Sequence, residues 1–273
     1  MYPLLKIKNK GLRLEHRCIF KNSVFKKISK GQKIALFLDF DGTLVPIRKD
    51  PSQCVLAEEM KEQLKLLVGS DRCYISILSG RSLPDIKGMV GIRDICYSGN
   101  HGLIISGNDM MYIHPKALSA KPSIDKAARM LSNEVAGING AWVERKKFTA
   151  SLHFRTVCKK DVPLVRKAFS KVVSECSGER ELAVIKGKMV LELAPDASWN
   201  KGSAAIYILN NLRGKYLPVY VGDDWTDENA FRALNKKGVT IRVGKSANTA
   251  AKYYLKNQRE VSEFLRRVKE FIV

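Results

Sequence analysis

Leu-Asp-Phe-Asp-Gly-Thr-Leu, residues 38 to 44, follows directly on an apolar run that begins at Lys33. The run predicts a buried strand that ends in a glycine turn. Because residues two apart in an extended chain point to the same side, Asp39 and Asp41 are expected to converge on one small volume. Two carboxylates there repel each other unless a cation or a proton joins them. Magnesium binds carboxylate and phosphate oxygens, so the stretch predicts a metal-assisted phosphoryl site, with an ordinary charged turn as the alternative.

Length and composition are those of a globular chain. The 273 residues are 45% hydrophobic, which is enough for one large or two modest domains, and no stretch approaches the roughly 20 apolar residues of a membrane span. The segment from Met1 to Lys10 alternates apolar and basic residues and is predicted not to be a secretory signal. The cysteines show no C-x-x-C spacing and several lie inside apolar runs, which predicts a reduced, cytoplasmic protein.

The chain carries a strong excess of positive charge. Its 48 Lys and Arg residues outnumber its 27 Asp and Glu residues, for a formal net charge of +21. Such a charge attracts polyanions, but the sequence has neither an RNA-binding aromatic signature nor zinc-finger spacing, so a nucleic-acid partner is disfavoured. A solvated basic surface and the steering of a small anionic substrate are the remaining interpretations. Residues 1–30 are basic without clear periodicity and predict an N-terminal extension.

After the first stretch, strand-like and helix-like patterns alternate along the chain. Short apolar runs precede Asp39, Ser79 and Asp223, and segments with apolar residues at helical spacing separate these runs. This order predicts an α/β fold with a parallel sheet flanked by helices, built from residues 31–107 and 196–273. Ligands bind at the carboxyl ends of the strands in such sheets, so the three polar residues are expected at one edge.

The middle of the chain, residues 108–195, shows a different order of elements. Its patterns predict a helix, two strands, a second helix and two more strands. The predicted elements are 124–136, 141–148, 150–157, 162–176, 182–185 and 189–193. This order is typical of an antiparallel sheet with helices on one face. We therefore predict a separate α+β module inserted between the two halves of the parallel sheet.

Residues 37–43 resemble the first motif of the haloacid-dehalogenase superfamily of phosphatases, and three further motifs of that superfamily follow in order. They are Ser79-Gly80-Arg81, Asn200-Lys201-Gly202 and the acidic segment 222–228. An ordered set of four motifs is more specific than any one of them alone. The resemblance implies a Rossmann-like haloacid-dehalogenase core, with the inserted module as a cap that determines substrate specificity.

An inserted αββαββ cap is similar to that of the sugar-phosphatase branch, and the finer pattern resembles the trehalose-6-phosphate phosphatase family. This resemblance rests on a Gly-x-His-Gly turn at 99–102, a Glu-x-Lys strand at 144–146 and the segments 151–155 and 187–192. It implies hydrolysis of trehalose 6-phosphate to trehalose and phosphate through an aspartyl-phosphate intermediate. The alternatives are another sugar phosphate, such as mannosyl-3-phosphoglycerate or sucrose 6-phosphate, or a nucleic-acid-binding protein on this scaffold. Association with a trehalose-6-phosphate synthase is left open.

The same resemblance assigns roles to the motif residues. Asp39 would attack phosphorus, and Asp41 would protonate the leaving sugar oxygen. Lys201 would neutralise charge that develops on the phosphoryl oxygens. The phosphate-binding residues would be Ser79, Gly80 and Arg81. Magnesium would be held by Asp39, by Asp41 through its backbone carbonyl and by Asp223, with Asp224 and Asp227 as outer ligands or as partners of Lys201.

The cap residues are expected to bind the sugar. Carboxylates accept hydrogen bonds from sugar hydroxyls, and lysine, histidine and arginine side chains donate them. The predicted sugar-binding residues are Glu144, Lys146, His153, Arg155, Lys188 and Glu192. A solvated sheet face with ion pairs is the alternative interpretation. His101 is predicted to hold its turn, and Trp142 and Trp199 are predicted to be packing residues.

Overall fold

The computed structural model describes residues 17–21, 24–28, 32–48, 50–107, 109–176 and 182–272. In chain order the strands are β1 (Arg17–Cys18), β2 (Lys33–Leu38), β3 (Cys73–Leu78), β4 (Cys96–Gly99), β5 (Ile104–Gly107), β6 (Met110–Ile113), β7 (Trp142–Arg145), β8 (Ala150–His153), β9 (Leu182–Gly187), β10 (Val190–Pro195), β11 (Tyr216–Gly222), β12 (Val239–Val243) and β13 (Tyr253–Leu255). The helices are α1 (Val24–Lys27), α2 (Glu58–Val68), α3 (Leu83–Val90), α4 (Pro115–Ser119), α5 (Lys121–Val135), α6 (Val162–Cys176), α7 (Lys201–Asn211), α8 (Glu228–Leu234) and α9 (Gln258–Ile272). Within the described ranges, none of these helices is long and apolar enough to span a membrane.

The large sheet has the order β1-β13-β12-β11-β2-β3-β4-β5-β6, and its strands are parallel from β1 to β4. The central strand β2 is buried on both faces, as its continuous apolar sequence predicts. Leu36 and Leu38 pack towards α2, α3 and α9, whereas Ala35 and Phe37 pack towards α7 and α8. The predicted α/β class with a large parallel sheet is therefore confirmed.

The parallel order gathers the predicted polar residues at one edge of the sheet. Asp39, Ser79 and Asp223 each come directly after the last residue of their strand, β2, β3 and β11. These three strands are neighbours in the order β11-β2-β3. Their carboxyl ends therefore form the floor on which a site can be built.

A hairpin extends the large sheet beyond its parallel part. Strands β5 and β6 continue from β4 in antiparallel pairing, with Ile104 opposite Ile113. The predicted boundary between residues 107 and 108 falls inside this hairpin, so the large sheet reaches Ile113 before the chain enters the cap. Four-residue strands with little alternation explain why the sequence pattern alone did not place the hairpin.

The described part of the predicted N-terminal extension belongs to the core. Strand β1 pairs in parallel with β13, and Ile19, Val24 and Ile28 are buried in the cluster that contains α9. Ile19 lies in a single 3-10 turn, Val24 begins the one-turn helix α1 and Ile28 follows it, so no period of 2.0 or 3.6 could form. The rest of the predicted extension lies outside the described residues.

The cap consists of a four-stranded antiparallel sheet in the order β7-β8-β10-β9 and two long helices. Helices α5 and α6 cover one face of this sheet, where Leu131, Leu152 and Phe169 share a buried cluster. The paired strands β7 and β8 are four residues each, half the length that the sequence pattern predicted. The opposite face of the sheet, which carries Ser151 and His153 on β8, is turned towards the edge of the large sheet.

Candidate active site

The loop that follows β2 is pressed against the end of β11. The backbone N–H of Asp39 donates to the carbonyl of Val221 at 2.9 Å. Gly42 has a φ of +92°, and a Cβ at this position would lie 2.3 Å from a carboxylate oxygen of Asp223. Only glycine therefore allows the turn to pass this close to Asp223. The Gln258 amide, at the start of α9, also donates to the Gly42 carbonyl and fixes the turn from the other side.

Three buried carboxylates converge on this edge, and one ammonium lies among them. Asp39, Asp223 and Asp227 each offer an oxygen within 4.8 Å of the others. Lys201 donates to Asp39 Oδ1 at 2.6 Å and to Asp227 Oδ1 at 2.8 Å. Burial raises the pKa of Asp39 well above its usual range, an effect that Lys201 opposes and the other two carboxylates reinforce. We call these four residues the catalytic floor.

Asp227 has no oxygen left for another ligand. Its Oδ1 accepts from Lys201 and from the Tyr220 hydroxyl at 2.8 Å, and its Oδ2 accepts from the backbone N–H groups of Asp223 and Asp224 at 3.0 and 2.9 Å. Burial would lower the pKa of Lys201, but Asp227 and Asp39 raise it far above its usual range and keep the ammonium charged. Asp227 is therefore placed to hold Lys201. The role of Tyr220 could not be predicted from the sequence, because a tyrosine inside an apolar strand gives no sign of a polar partner.

The other two carboxylates of the floor do have free oxygens. Asp39 Oδ2 and Asp223 Oδ1 are buried and have no hydrogen-bond partner among the residues that the structure describes. A buried carboxylate oxygen without a partner is costly, and a hard cation removes that cost. Oxygen-only donor sets suit magnesium better than softer metals. Asp39 and Asp223 could therefore hold such an ion.

The side chain of Asp41 does not join this cluster, contrary to the expected convergence of Asp39 and Asp41. Arg81 holds the Asp41 carboxylate through two hydrogen bonds, at 2.7 Å from Nε and 2.6 Å from Nη2. The physical reason is that β2 ends at Leu38, so the alternation of an extended strand no longer applies at Asp41. The side chain of Asp41 is about one-third exposed and instead lines an open cavity between this edge of the sheet and the cap.

The turn after β3 lies between the floor and the Gly-x-His-Gly turn at residues 99–102. Ser79 is buried, and its hydroxyl accepts from the Arg81 backbone N–H at 3.1 Å. Gly80 packs against His101, since a Cβ there would lie 2.5 Å from the imidazole ring. Ser82, and not Ser79, caps α3 by accepting from the Asp85 backbone N–H. Ser79 and Gly80 therefore stay beside the floor, outside the helix.

Two predicted sugar-binding residues lie in the contact between cap and core. Lys146 donates to the Gly80 carbonyl at 2.9 Å and pairs with Glu192 at 3.4 Å, and Glu192 contacts His101 Nε2 at 3.1 Å. Burial alone would raise the pKa of Glu192, but Lys146 and His101 hold it well below its usual range. His101 has a left-handed backbone, with a φ of +56°, as the predicted turn requires. This network ties the cap to the two turns beside the floor.

The remaining predicted residues of the cap are Glu144, His153, Arg155 and Lys188, and they lie on the side of the cap that faces the large sheet. Together with Trp142 we call them the cap roof. His153 Nε2 lies 2.8 Å from Glu144 Oε2, and the Trp142 ring stacks on the His153 ring at 4.1 Å with an angle of 9°. Arg155 donates to the Lys188 carbonyl at 2.6 Å. Trp142 was predicted to be a packing residue, but it is 45% exposed and lines the cavity.

Lys188 links the roof to the floor. Its ammonium lies 3.0 Å from Asp223 Oδ2, while its side chain stays half exposed. Burial raises the pKa of Asp223, and the charge of Lys188 opposes that rise. A cavity of about 510 Å³ lies between floor and roof, and all twelve predicted catalytic, phosphate-binding and sugar-binding residues line it. A phosphate ester can thus meet a carboxylate and an ammonium at its base and polar side chains above.

Comparisons with known proteins agree with this geometry. Residues 37–259 match the family model described as trehalose-phosphatase. A probable trehalose-phosphate phosphatase D of Arabidopsis thaliana is 37% identical over 260 residues, which cover 89% of this chain and 69% of that protein. A probable trehalose-phosphate phosphatase 4 of Oryza sativa is 35% identical over 253 residues, covering 89% and 68%. The C-terminal domain of trehalose-6-phosphate phosphatase from C. albicans has the same fold, with a TM-score of 0.82 at 21% identity over 96% of this chain and all of that one.

Proposed function

The chain belongs to the trehalose-phosphatase family, and from this membership we propose that it hydrolyses trehalose 6-phosphate to trehalose and phosphate with the help of magnesium. The named relatives support the substrate, and the buried floor supports the reaction type. The single observation that carries the proposal is Asp39, a buried carboxylate whose Oδ1 accepts a hydrogen bond from Lys201 and whose Oδ2 has no partner within the described ranges. Such an arrangement suits a nucleophile that waits for an electrophilic phosphorus.

The reaction proceeds in two displacements. An oxygen of Asp39 forms a bond to phosphorus as the bond from phosphorus to the sugar oxygen breaks, which gives an aspartyl-phosphate and the free disaccharide. Water then attacks the same phosphorus, and Asp39 is regenerated as inorganic phosphate leaves. Lys201 stays charged beside Asp39 and stabilises the negative charge that spreads over the phosphoryl oxygens.

Asp39 and Asp223 would hold the magnesium ion, together with the backbone carbonyl of Asp41 that the family resemblance implies. When bound, magnesium neutralises phosphate charge and orients the phosphoryl group for in-line attack. Asp227 contributes by fixing Lys201 and the backbone of Asp223, because all of its hydrogen-bonding capacity is spent on those groups and on Tyr220. Within the floor, Asp39 and Asp223 would thus bind the metal ion, whereas Asp227 orients Lys201.

Asp41 serves as the acid and then the base. It donates a proton to the leaving sugar oxygen in the first displacement and takes a proton from water in the second. Arg81 holds both carboxylate oxygens of Asp41, so this pair must open before Asp41 can reach the leaving oxygen. The incoming phosphate group can open this pair, because it competes with Asp41 for the guanidinium of Arg81.

The roof supplies sugar recognition. Glu144, His153 and Arg155 line the cavity above the floor and can exchange hydrogen bonds with sugar hydroxyls. None of the six cysteines, each within the described part of the chain, forms a disulfide, which supports the cytoplasm as the site of action.

A phosphate-release screen tests the proposed function. Wild-type protein and Asp39→Asn are incubated with magnesium and with trehalose 6-phosphate, sucrose 6-phosphate, mannosyl-3-phosphoglycerate or glucose 6-phosphate. The expected result is the highest kcat/KM for trehalose 6-phosphate and no release by the variant. A higher kcat/KM for another sugar phosphate would replace the substrate, and release by Asp39→Asn would replace the mechanism.

A further inference from the structure

We propose that Trp142 is the platform for the second, unphosphorylated glucose ring of the substrate, and that it makes the enzyme selective for a disaccharide phosphate. This inference rests on the proposed function, because it assumes that a sugar phosphate binds with its phosphorus at Asp39. It concerns affinity and specificity, since Trp142 lies on the roof and does not contact the catalytic floor.

The plane of the Trp142 ring is fixed from one side. Its indole stacks on His153 at 4.1 Å and 9°, and His153 is itself held by Glu144 at 2.8 Å. One face of the indole is thus covered, while the residue as a whole remains 45% exposed. The exposed area therefore belongs to the opposite face and the ring edge. An immobilised flat ring with one open face loses little entropy when a ligand covers it.

The position of Trp142 suits the distal ring of a disaccharide. Asp39, at the base of the cavity, is 4% exposed, whereas Trp142 stands at the rim on β7, an edge strand of the cap sheet. A phosphate held at Asp39 places the ring that carries it in the inner part of the cavity. The second ring must then extend towards the rim, where Ile47 of the core lines the cavity as a second exposed apolar side chain.

The chemistry of a pyranose matches this surface. Its hydroxyl groups project from the edge of the ring, and its C–H groups form apolar patches on the ring faces. An aromatic side chain covers such a face, while neighbouring polar groups bond the edge. Glu144 and Arg155, which line the same cavity, supply an acceptor and a donor.

Trp225 is a second exposed tryptophan and therefore an alternative platform for the second glucose ring. Trp225 is 47% exposed and lines a neighbouring cavity of about 440 Å³, which shares Lys201 with the first. That cavity is not lined by Glu144, His153 or Arg155, so a sugar there would lack these partners. The structure therefore favours Trp142 over Trp225.

Steady-state kinetics separate the two tryptophans. Loss of about 50 Å² of apolar contact corresponds to roughly tenfold weaker binding. Trp142→Ala is therefore expected to raise KM for trehalose 6-phosphate about tenfold with little change in kcat, and to leave KM for glucose 6-phosphate unchanged. Trp142→Phe, which keeps a flat ring, should recover most of the affinity. Leu164→Ala, which removes an exposed side chain from the cap helix α6, is the matched control and should behave as wild type.

Calorimetric titration with trehalose itself provides a readout that needs no turnover. Wild type and Trp142→Phe should bind the disaccharide, and Trp142→Ala should bind it about tenfold more weakly. Unchanged affinity in Trp142→Ala, a loss confined to Trp225→Ala, or equal losses on trehalose 6-phosphate and glucose 6-phosphate would each overturn the assignment. Failure of the wild-type protein to hydrolyse trehalose 6-phosphate would instead reject the proposed function, and the titration would still decide whether Trp142 holds a disaccharide.

Discussion

Asp39 and Lys201, on the catalytic floor, are 4% and 3% exposed and lie 2.6 Å apart, whereas Trp142 on the cap roof is 45% exposed. The floor is assembled from the residues that follow the adjacent strands β2 and β11, from Asp227 in the 3-10 turn after β11 and from the first residue of α7. The roof is joined to the core by side-chain contacts, among them Lys146 with the Gly80 carbonyl and Lys188 with Asp223. From this contrast we infer that the sheet fixes the proposed chemistry, while the proposed sugar recognition depends on where the cap is held. Each prediction below tests this division of labour.

The largest effect is expected at the nucleophile. Asp39→Asn removes the charge and nucleophilicity of the carboxylate but keeps its shape, so turnover should fall by a factor on the order of a thousand or more, on every substrate. Phosphate release from trehalose 6-phosphate and from p-nitrophenyl phosphate measures the loss. Circular dichroism checks that the fold is intact, and Asp71→Asn, an exposed aspartate before β3, is the control. Residual turnover of more than a few per cent would contradict covalent catalysis by Asp39.

Removal of metal should act on the floor and spare the roof. Asp39 Oδ2 and Asp223 Oδ1 have no hydrogen-bond partner in the described part of the chain and could hold a metal ion. Excess chelator is therefore expected to abolish turnover of both substrates, and magnesium to restore it. Trehalose binding, measured by calorimetry, should persist in chelator because the roof makes those contacts. Asp223→Asn should require more magnesium for half-maximal turnover. Full activity in chelator after exhaustive dialysis would remove the metal from the mechanism.

The strand ends at the floor were predictable from the sequence because a polar residue directly follows each apolar run, and Lys201 and Asp227 were found through their motifs. Asp39, Ser79 and Asp223 lie at the strand ends where the pattern put them. What the pattern missed depends on the third dimension. Asp41 turns to Arg81 because the chain has already left the strand, and the Tyr220 hydroxyl meets Asp227 inside the sheet.

The roof was predicted less well, for a physical reason. A strand pattern shows which side chains share a face, but not how close that face comes to another domain. Lys146 and Glu192 share the predicted polar face, yet they lie in the cap–core contact. Trp142 looked like a packing residue because an edge strand and a core strand have similar apolar patterns. Its exposure depends on the strand order β7-β8-β10-β9, which the sequence does not specify.

Two cap substitutions test whether floor and roof are separate. Glu144 contacts His153 and lies on the roof, so Glu144→Ala should lower kcat/KM for trehalose 6-phosphate roughly ten- to a hundredfold and hardly affect p-nitrophenyl phosphate. Lys188 contacts Asp223 on the floor, so Lys188→Ala should impair both substrates. Glu175→Ala, on the exposed face of α6, is the control. A selective loss in Lys188→Ala together with a general loss in Glu144→Ala would reverse the assignment of these residues.

At the contact between cap and core we expect the smallest effect on turnover but a clear effect on stability. Glu192 is buried against Lys146, His101 and Thr149, and its pKa is held well below its ordinary value of 4.5. A lowered pKa in the folded state means that the charged carboxylate stabilises the fold above about pH 4.5, and that this contribution is lost as the pH falls further. Glu192→Gln should therefore lower the free energy of unfolding by about 3 kcal/mol at pH 7, because Lys146 loses its buried partner.

The difference in unfolding free energy between wild type and Glu192→Gln should then shrink as the pH falls below 4.5, because the carboxyl of the unfolded wild-type chain takes up a proton there while the folded carboxylate stays charged to a lower pH. Denaturant unfolding at a series of pH values measures this difference. Glu134→Gln, which breaks an exposed pair with Lys171 on the outer cap surface, should change stability little at any pH. A difference that stays constant with pH would show that Glu192 supports the cap by its shape and not by its charge.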